Sequence, residues 1–304
     1  MKDRIKNKIK NKIKDKIKKG VSFKDILLHG FLFFLIFIAL LLIFSPWLTQ
    51  ALIEQKRIQY SIYNFTAAEI KKNIVQAKLP EEQSDIEEQS DIEAPDFGMV
   101  LANISDVNRE DVVGAIAIKD LNLLLPVLDG TTTSNLMAGA TTLKAEQVMG
   151  KGNYCLAGHH MKNDELLFGP LLQIKLGSLI QLSDKQTVYT YKVTETKLVH
   201  ETDLTVLEKG SVPSVTLITC DISGINTDNR FIVIGELVDE SIESTDVGSK
   251  SIANEYVTQY NYQINQIKKE VVATKYCFNY WLIIILILSL LIQMLLIKLS
   301  RNQL

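Results

Sequence analysis

The chain has 304 residues, room for one good-sized domain or two small ones, and its 33 basic against 35 acidic side chains leave a formal charge of −2. A balance so near neutral points to no particular partner, and no nucleic-acid partner is expected, because the charges are segregated along the chain instead of forming one field. Three cysteines, at 155, 220 and 277, outline no disulfide framework.

From the N-terminus, residues 5–19 repeat Ile-Lys-Asn-Lys and variants of it, which puts Ile5, Ile9, Ile13 and Ile17 on one stripe of a helix surrounded by lysines. Such a segment could serve as a nucleic-acid arm, but ahead of an apolar span it reads rather as a basic helix lying on a membrane surface, over residues 1–25. Residues 26–48 are almost uninterrupted Leu, Ile and Phe. At about 1.5 Å per residue they are long enough to cross a hydrocarbon core of about 30 Å. The flanking lysines favour the cytoplasmic side, with residue 50 outside. Ser45-Pro46-Trp47-Leu48 has no small-x-small cleavage pattern, so an uncleaved anchor is expected. A second span is expected over residues 278–298, with Tyr280 and Trp281 as interfacial aromatics and Lys298 and Arg301 beyond its end. Both termini, including residues 299–304, would then be cytoplasmic, and the loop between the spans would carry the function.

Within that loop, Ile53, Ile58, Ile62, Phe65, Ile70 and Ile74 recur at helical intervals and predict a stalk helix over residues 49–79. Residues 81–92 are a tandem Glu-Glu-Gln-Ser-Asp-Ile repeat, acidic and without aromatics. They read as part of a linker, residues 80–97, that cannot bury enough apolar surface to order itself. Residues 112–118, 121–128, 154–158, 178–182, 187–194, 212–219 and 231–237 are short β-branched or alternating runs broken by turn residues. So many strands in residues 98–245 predict a mainly β domain, closed or nearly closed into a barrel. Ile252, Tyr256, Tyr260, Ile264, Ile267 and Val271 then predict a second stalk helix over residues 249–276.

Three residues stand out for their chemistry. Cys220 closes the run Val215-Thr216-Leu217-Ile218-Thr219-Cys220, His159 follows Leu156-Ala157-Gly158, and Arg230 opens Arg230-Phe231-Ile232-Val233-Ile234-Gly235. A thiol supplies a nucleophile, an imidazole carries a proton, and a guanidinium holds negative charge on a carbonyl oxygen. An ordinary thiol, with a pKa of about 8.5, is mostly protonated near neutrality and needs such neighbours. Cys155 reads instead as a small buried apolar residue. His159 and His160 could form a metal pair, but adjacent positions on a strand face opposite ways, and no metal site is expected.

Taken together, Thr216-Leu217-Ile218-Thr219-Cys220, Arg230 and Leu156-Ala157-Gly158-His159-His160 resemble the sortase family, and its class A most closely. Leu124-Leu125-Pro126-Val127, Gly139-Ala140-Thr141-Thr142 and Leu167-Phe168-Gly169-Pro170-Leu171 resemble sortase segments in the same order. The resemblance covers roughly residues 110–238. It implies an eight-stranded barrel and a cysteine transpeptidase that needs no cofactor. Cys220 would attack the Thr-Gly bond of a Leu-Pro-X-Thr-Gly sorting signal, His159 would act as general acid and base, and Arg230 would hold substrate and oxyanion. Thr219, Ala157 and Gly158 would shape the substrate site. The implied partners are surface proteins bearing the signal, an amine of a lipid II-type cell-wall precursor, and membrane lipid, on a Gram-positive cell surface. Some class A members bind calcium in the loop before the histidine strand; here residues 141–152 offer only Glu146, and no calcium dependence is expected. A second C-terminal span is commoner in the pilin-polymerising class C, whose lid carries Asp-Pro-aromatic; Ala94-Pro95-Asp96-Phe97 has the reverse order. A cysteine hydrolase and a non-catalytic tethered barrel are the remaining alternatives.

Overall fold

The computed structural model describes residues 23–77, 97–103, 106–161, 164–208, 210–220, 228–242, 280 and 283–295. The lysine-rich segment, the acidic repeat and the second stalk lie outside them. The chain divides into two compact units, Met1–Pro46 with Tyr276–Leu304, and Trp47–Lys275.

The first unit contains most of the apolar part of helix α1 (Phe23–Gln59), whose Leu27, Leu28, Phe31, Phe34, Leu42 and Ile43 are exposed. Among the described residues this is the one helix long and apolar enough to cross a membrane. The expected second span corresponds to a shorter apolar helix, Ile283–Leu295.

In the second unit eight strands close into a barrel in the order β1-β2-β3-β4-β7-β8-β6-β5. They are β1 (Val112–Ile118), β2 (Leu123–Leu128), β3 (Ala140–Thr142), β4 (Asn153–Ala157), β5 (Leu179–Ser183), β6 (Thr187–His200), β7 (Ser214–Cys220) and β8 (Asn229–Ile242). Seven of them follow the apolar runs of the sequence. The exception, β3, is three residues long, too short to show alternation, and joins β2 in parallel to β4 in antiparallel. Strand β6 runs well past its apolar half. Glu195 and Lys197 read as a break in the sequence, yet Glu195 pairs with Ile234 and Lys197 with Ile232. An antiparallel ladder tolerates one wet face, so charge there does not end the strand. Ile116, Ile118, Leu156, Leu182, Tyr191, Leu217 and Val233 fill the interior.

The expected single stalk helix is broken in two, and its second half belongs to the barrel. Helix α1 ends at Gln59, a 3₁₀ turn follows at Ile62–Asn64, and helix α2 starts afresh over Ala67–Gln76. Thr66 and Glu69 cause the restart: each side chain bonds the other's backbone N–H, a capping box that favours a helix beginning at this point. Tyr60, Ile62, Phe65 and Ile70 then bury against Val112, Ala115, Leu128 and Ala138. Polar contacts fix the docking. Tyr60 Oη donates to the Val107 carbonyl at 2.7 Å, Asn73 Nδ2 to that of Val112 at 2.8 Å, and Lys185 Nζ to those of Ile62 and Phe65 at 2.9 and 2.6 Å. The Arg109 guanidinium lies 3.9 Å from the centre of the Phe65 ring.

Ile70 is therefore a core residue of the second unit. Ile70→Ala should lower its stability by about 2–5 kcal/mol, the usual scale for emptying a buried aliphatic site, as read by chemical denaturation of a fragment beginning at Trp47. A change below about 0.5 kcal/mol, typical of an exposed site, would mean that this segment stands clear of the barrel.

Candidate active site

The two strand pairings of β7 bring the three reactive residue types into one row. β4 and β7 run parallel with Ala157 opposite Ile218, and the Gly158 N–H continues the ladder to the Ile218 carbonyl at 3.1 Å. Carried two residues past the end of β4, the same register would bring His159 alongside Cys220. On the other side β7 and β8 are antiparallel, and Cys220 is directly opposite Arg230. Side chains so paired share a face, with Cβ atoms about 4.5–5.5 Å apart.

That face is the outside of the barrel. Tyr154 and Leu156 of β4, Val215 and Leu217 of β7 and Val233 of β8 belong to the inner core, so the alternate positions Ala157, Cys220 and Arg230 look outward. The row lies at the strand ends, where Cys220 is the last residue of β7 and Arg230 the second of β8. His159 and Cys220 are only 3% and 8% exposed. The segment between β6 and β7, with its 3₁₀ turn Leu204–Leu207, is tied down over the other end of this face. Asn153 Nδ2 donates to the carbonyls of Val206 and Glu208, both at 3.0 Å, and Lys144 Nζ to that of Leu207 at 3.0 Å.

Thr219 points inward, and its hydroxyl donates to the Gly158 carbonyl at 2.8 Å. It thus fixes the backbone that carries His159 to the strand that carries Cys220. Gly158 has a packing reason to be glycine, since a Cβ there would come within 2.6 Å of the Phe168 ring. Ala157 stands on the outer face one pair from the row. His160 Nε2 lies 2.8 Å from Asp164 Oδ1. Cys155 is fully buried and, like Cys220, is in no disulfide. Among the described residues no cluster of three or more His, Cys, Asp or Glu side chains could hold a metal ion.

Comparison with known proteins gives the family of the chain. The family profile described as the sortase domain matches residues 116–238. The chain is 38% identical over 222 residues to sortase A of Listeria monocytogenes, covering 73% of this chain and 94% of that one. It is 31% identical over 252 residues to sortase A of Streptococcus agalactiae, covering 78% and 97%. This chain belongs to the sortase family. A crystal structure of Listeria monocytogenes sortase A is 46% identical over 44% of this chain and 92% of that one, with a TM-score of 0.43. As a sortase the protein is a cysteine transpeptidase, and the row on the outer face of β4, β7 and β8 is its candidate centre.

Burial sets the protonation of this sortase's histidine. Desolvation lowers the pKa of His159 from an ordinary 6.5 to about 4, so the imidazole is neutral at physiological pH. In that state it can accept a proton. Burial pushes the Cys155 thiol the other way, upward, and outweighs the opposing pull of the Lys144 ammonium; Cys155 therefore stays protonated and unreactive. Arg230 is held as well as placed. One Nη donates to Glu201 Oε2 at 2.6 Å and the other to the Asn229 carbonyl at 3.1 Å. Nothing in the polar run His200-Glu201-Thr202-Asp203 signals that contact in the sequence, nor the anchoring of the loop by Asn153 and Lys144.

The depressed pKa of His159 links folding to pH. Unfolded chains bind a proton below about pH 6.5, whereas the native imidazole stays neutral until about pH 4. The stability it contributes is therefore complete above pH 6.5 and is lost as pH falls through 4. A shift of this size corresponds to about 3 kcal/mol. His159→Gln should flatten the fall in unfolding free energy between pH 6.5 and 4 by about that amount; an unchanged slope would mean that His159 titrates normally.

Proposed function

We propose that this sortase cleaves a Leu-Pro-X-Thr-Gly-type sorting signal between Thr and Gly and joins the released carboxyl end to an amine of a lipid II-type cell-wall precursor. The observation that carries the reading is the pairing itself: a thiol directly opposite a guanidinium across β7 and β8, with a buried, neutral imidazole just past the end of the neighbouring strand β4. Cys220 is the nucleophile, His159 the general acid and base, and Arg230 the group that binds substrate and oxyanion.

Each step follows from these groups. As the Cys220 sulfur attacks the Thr carbonyl carbon, its proton passes to neutral His159, and Arg230 steadies the negative charge on the carbonyl oxygen. Collapse of that adduct breaks the Thr-Gly C–N bond while His159 returns the proton to the leaving amine. A thioester on Cys220 remains. The incoming amine gives up a proton to His159 and attacks the thioester; the sulfur leaves, regains the proton, and a new amide is formed.

Placement at the membrane follows from the sequence. The apolar part of α1 anchors the protein, and a second span over residues 278–298 returns the chain, so that both termini are cytoplasmic and the catalytic unit, residues 98–245, faces outward. In that position it meets secreted surface proteins and lipid-linked precursor at the same bilayer. The acidic linker and the second stalk set its reach and supply no catalytic group.

A single assay tests the chemistry. Incubation with a Leu-Pro-X-Thr-Gly peptide and a small amine should yield ligated peptide by mass spectrometry, with product formation rising with amine concentration. Cys220→Ala should abolish it and Cys155→Ala should lose little. His159→Ala should lose about a hundredfold or more, the scale of general acid-base loss, and His160→Ala much less. Arg230→Lys keeps the charge but not the planar fork, and should remain badly impaired. Substantial turnover by Cys220→Ala would refute the assignment.

A further inference from the structure

We propose that Glu201 is a positioning residue for Arg230: it grips one edge of the guanidinium and so turns the opposite edge of the fork towards the side of Cys220. The proposal rests on the reading of Arg230 as the substrate and oxyanion contact, and extends it to a residue that itself touches neither.

Strand order supplies the geometry. In the sequence of neighbours β7-β8-β6, Arg230 stands between Cys220 on one side and the end of β6 on the other. Glu201 is the first residue after β6, and its backbone is fixed there, because its N–H donates to the Asp228 carbonyl at 2.7 Å and the next turn closes with Asp203 N–H on the His200 carbonyl at 2.9 Å. The Glu201 carboxylate therefore approaches from the side away from the thiol, and Oε2 accepts from an Arg230 Nη at 2.6 Å, the short separation of a charge-assisted bond. The pair is partly sheltered, with side chains 18% and 36% exposed, so water screens it less than an ordinary surface pair. A second anchor, the Asn229 carbonyl, takes the other Nη.

An arginine side chain is long and has many rotamers. Unheld, it would sample orientations in which the fork misses the oxyanion. A carboxylate at one edge restricts the plane without reaching the reacting atoms. The opposite consequence is also possible in principle: the carboxylate could neutralise the guanidinium and weaken its pull on the oxyanion. Removal of the carboxylate distinguishes the two by sign.

The test uses the full chain in detergent micelles, with Glu201→Gln, Glu201→Ala, Arg230→Ala and the double variant Glu201→Ala/Arg230→Ala. Ligation of a Leu-Pro-X-Thr-Gly peptide to a small amine is measured as kcat and KM separately, with the alkylation rate of Cys220 by iodoacetamide and the melting temperature as controls. Glu201→Ala should lower kcat/KM about tenfold, the lower end for loss of a group that orients a reactive side chain. The loss should fall mainly on kcat. Glu201→Gln, whose amide oxygen still accepts a weaker hydrogen bond, should lose less. In the Arg230→Ala background Glu201→Ala should cost nothing further, and the alkylation rate should stay within about twofold, because that reaction needs the thiol and not the fork. If Arg230→Ala is impaired while Glu201→Ala matches or exceeds the wild type, or if the Glu201→Ala loss persists in the Arg230→Ala background, the positioning role is overturned and the reading of Arg230 stands. Wild-type rates from Arg230→Ala itself overturn that reading and the proposal with it.

Discussion

Parallel pairing of β4 with β7 joins positions 61 residues apart in the chain, and the site depends on it, because no local feature brings His159 near Cys220. Parallel strands need a long crossover, and here it is the whole of β5, β6 and the segment that returns over the outer face. The Thr219 hydroxyl on the Gly158 carbonyl reinforces the ladder at the point where β4 stops. One more residue of slip would turn Cys220 inward, since side chains alternate faces along a strand. The buried apolar residues of β4, β7 and β8 therefore do more than stabilise the barrel: by fixing the register they decide which side of the wall carries the thiol.

The same burial that stabilises the site also sets its electrostatics. An imidazole 3% exposed is costly to charge, which keeps His159 neutral and able to accept a proton near pH 7. In the proposed reaction, the imidazolium that protonates the leaving amine is formed only when Cys220 gives up its proton. Charge separation and carbonyl attack are coupled in one event, and the developing negative charge needs a partner already in place. On that proposal Arg230 is the partner, and its guanidinium is already held by Glu201 and the Asn229 carbonyl. Preorganised charge of this kind is effective because no solvent has to reorganise as the reaction proceeds.

How much of this can be read from the sequence follows from the range of each interaction. The strands of the barrel announce themselves by alternation, and Cys220, His159 and Arg230 by the residues immediately around them. The partition of the stalk was written locally too, in Thr66-Ala67-Ala68-Glu69, but a continuous stripe of isoleucines on either side masks it. What local pattern does not contain is contact between distant segments. Ile70 has the spacing of an exposed amphipathic helix, and only the presence of Val112, Ala115 and Leu128 opposite makes it core. Glu201 sits in a polar run with the composition of an ordinary surface turn, and its importance comes from β8 lying alongside. Lys144 is similar: its ammonium meets the Leu207 carbonyl across 63 residues.

Placing the reactive row outside the barrel has a consequence for how the two demands on this chain are reconciled. An interior site would compete with the core for volume, and every polar group in it would need a partner within the wall. On the outer face at the strand ends, the core beneath can be wholly apolar while the polar groups above are satisfied by one loop. Asn153 shows the division: it is 6% exposed, yet its amide reaches the Val206 and Glu208 carbonyls and its oxygen accepts from the Thr216 hydroxyl at 2.8 Å. The loop so held covers Cys155 and the middle of β7, and leaves the row at its edge. The register that orders the core is thus the same one that sets Cys220 opposite Arg230 on the outer face.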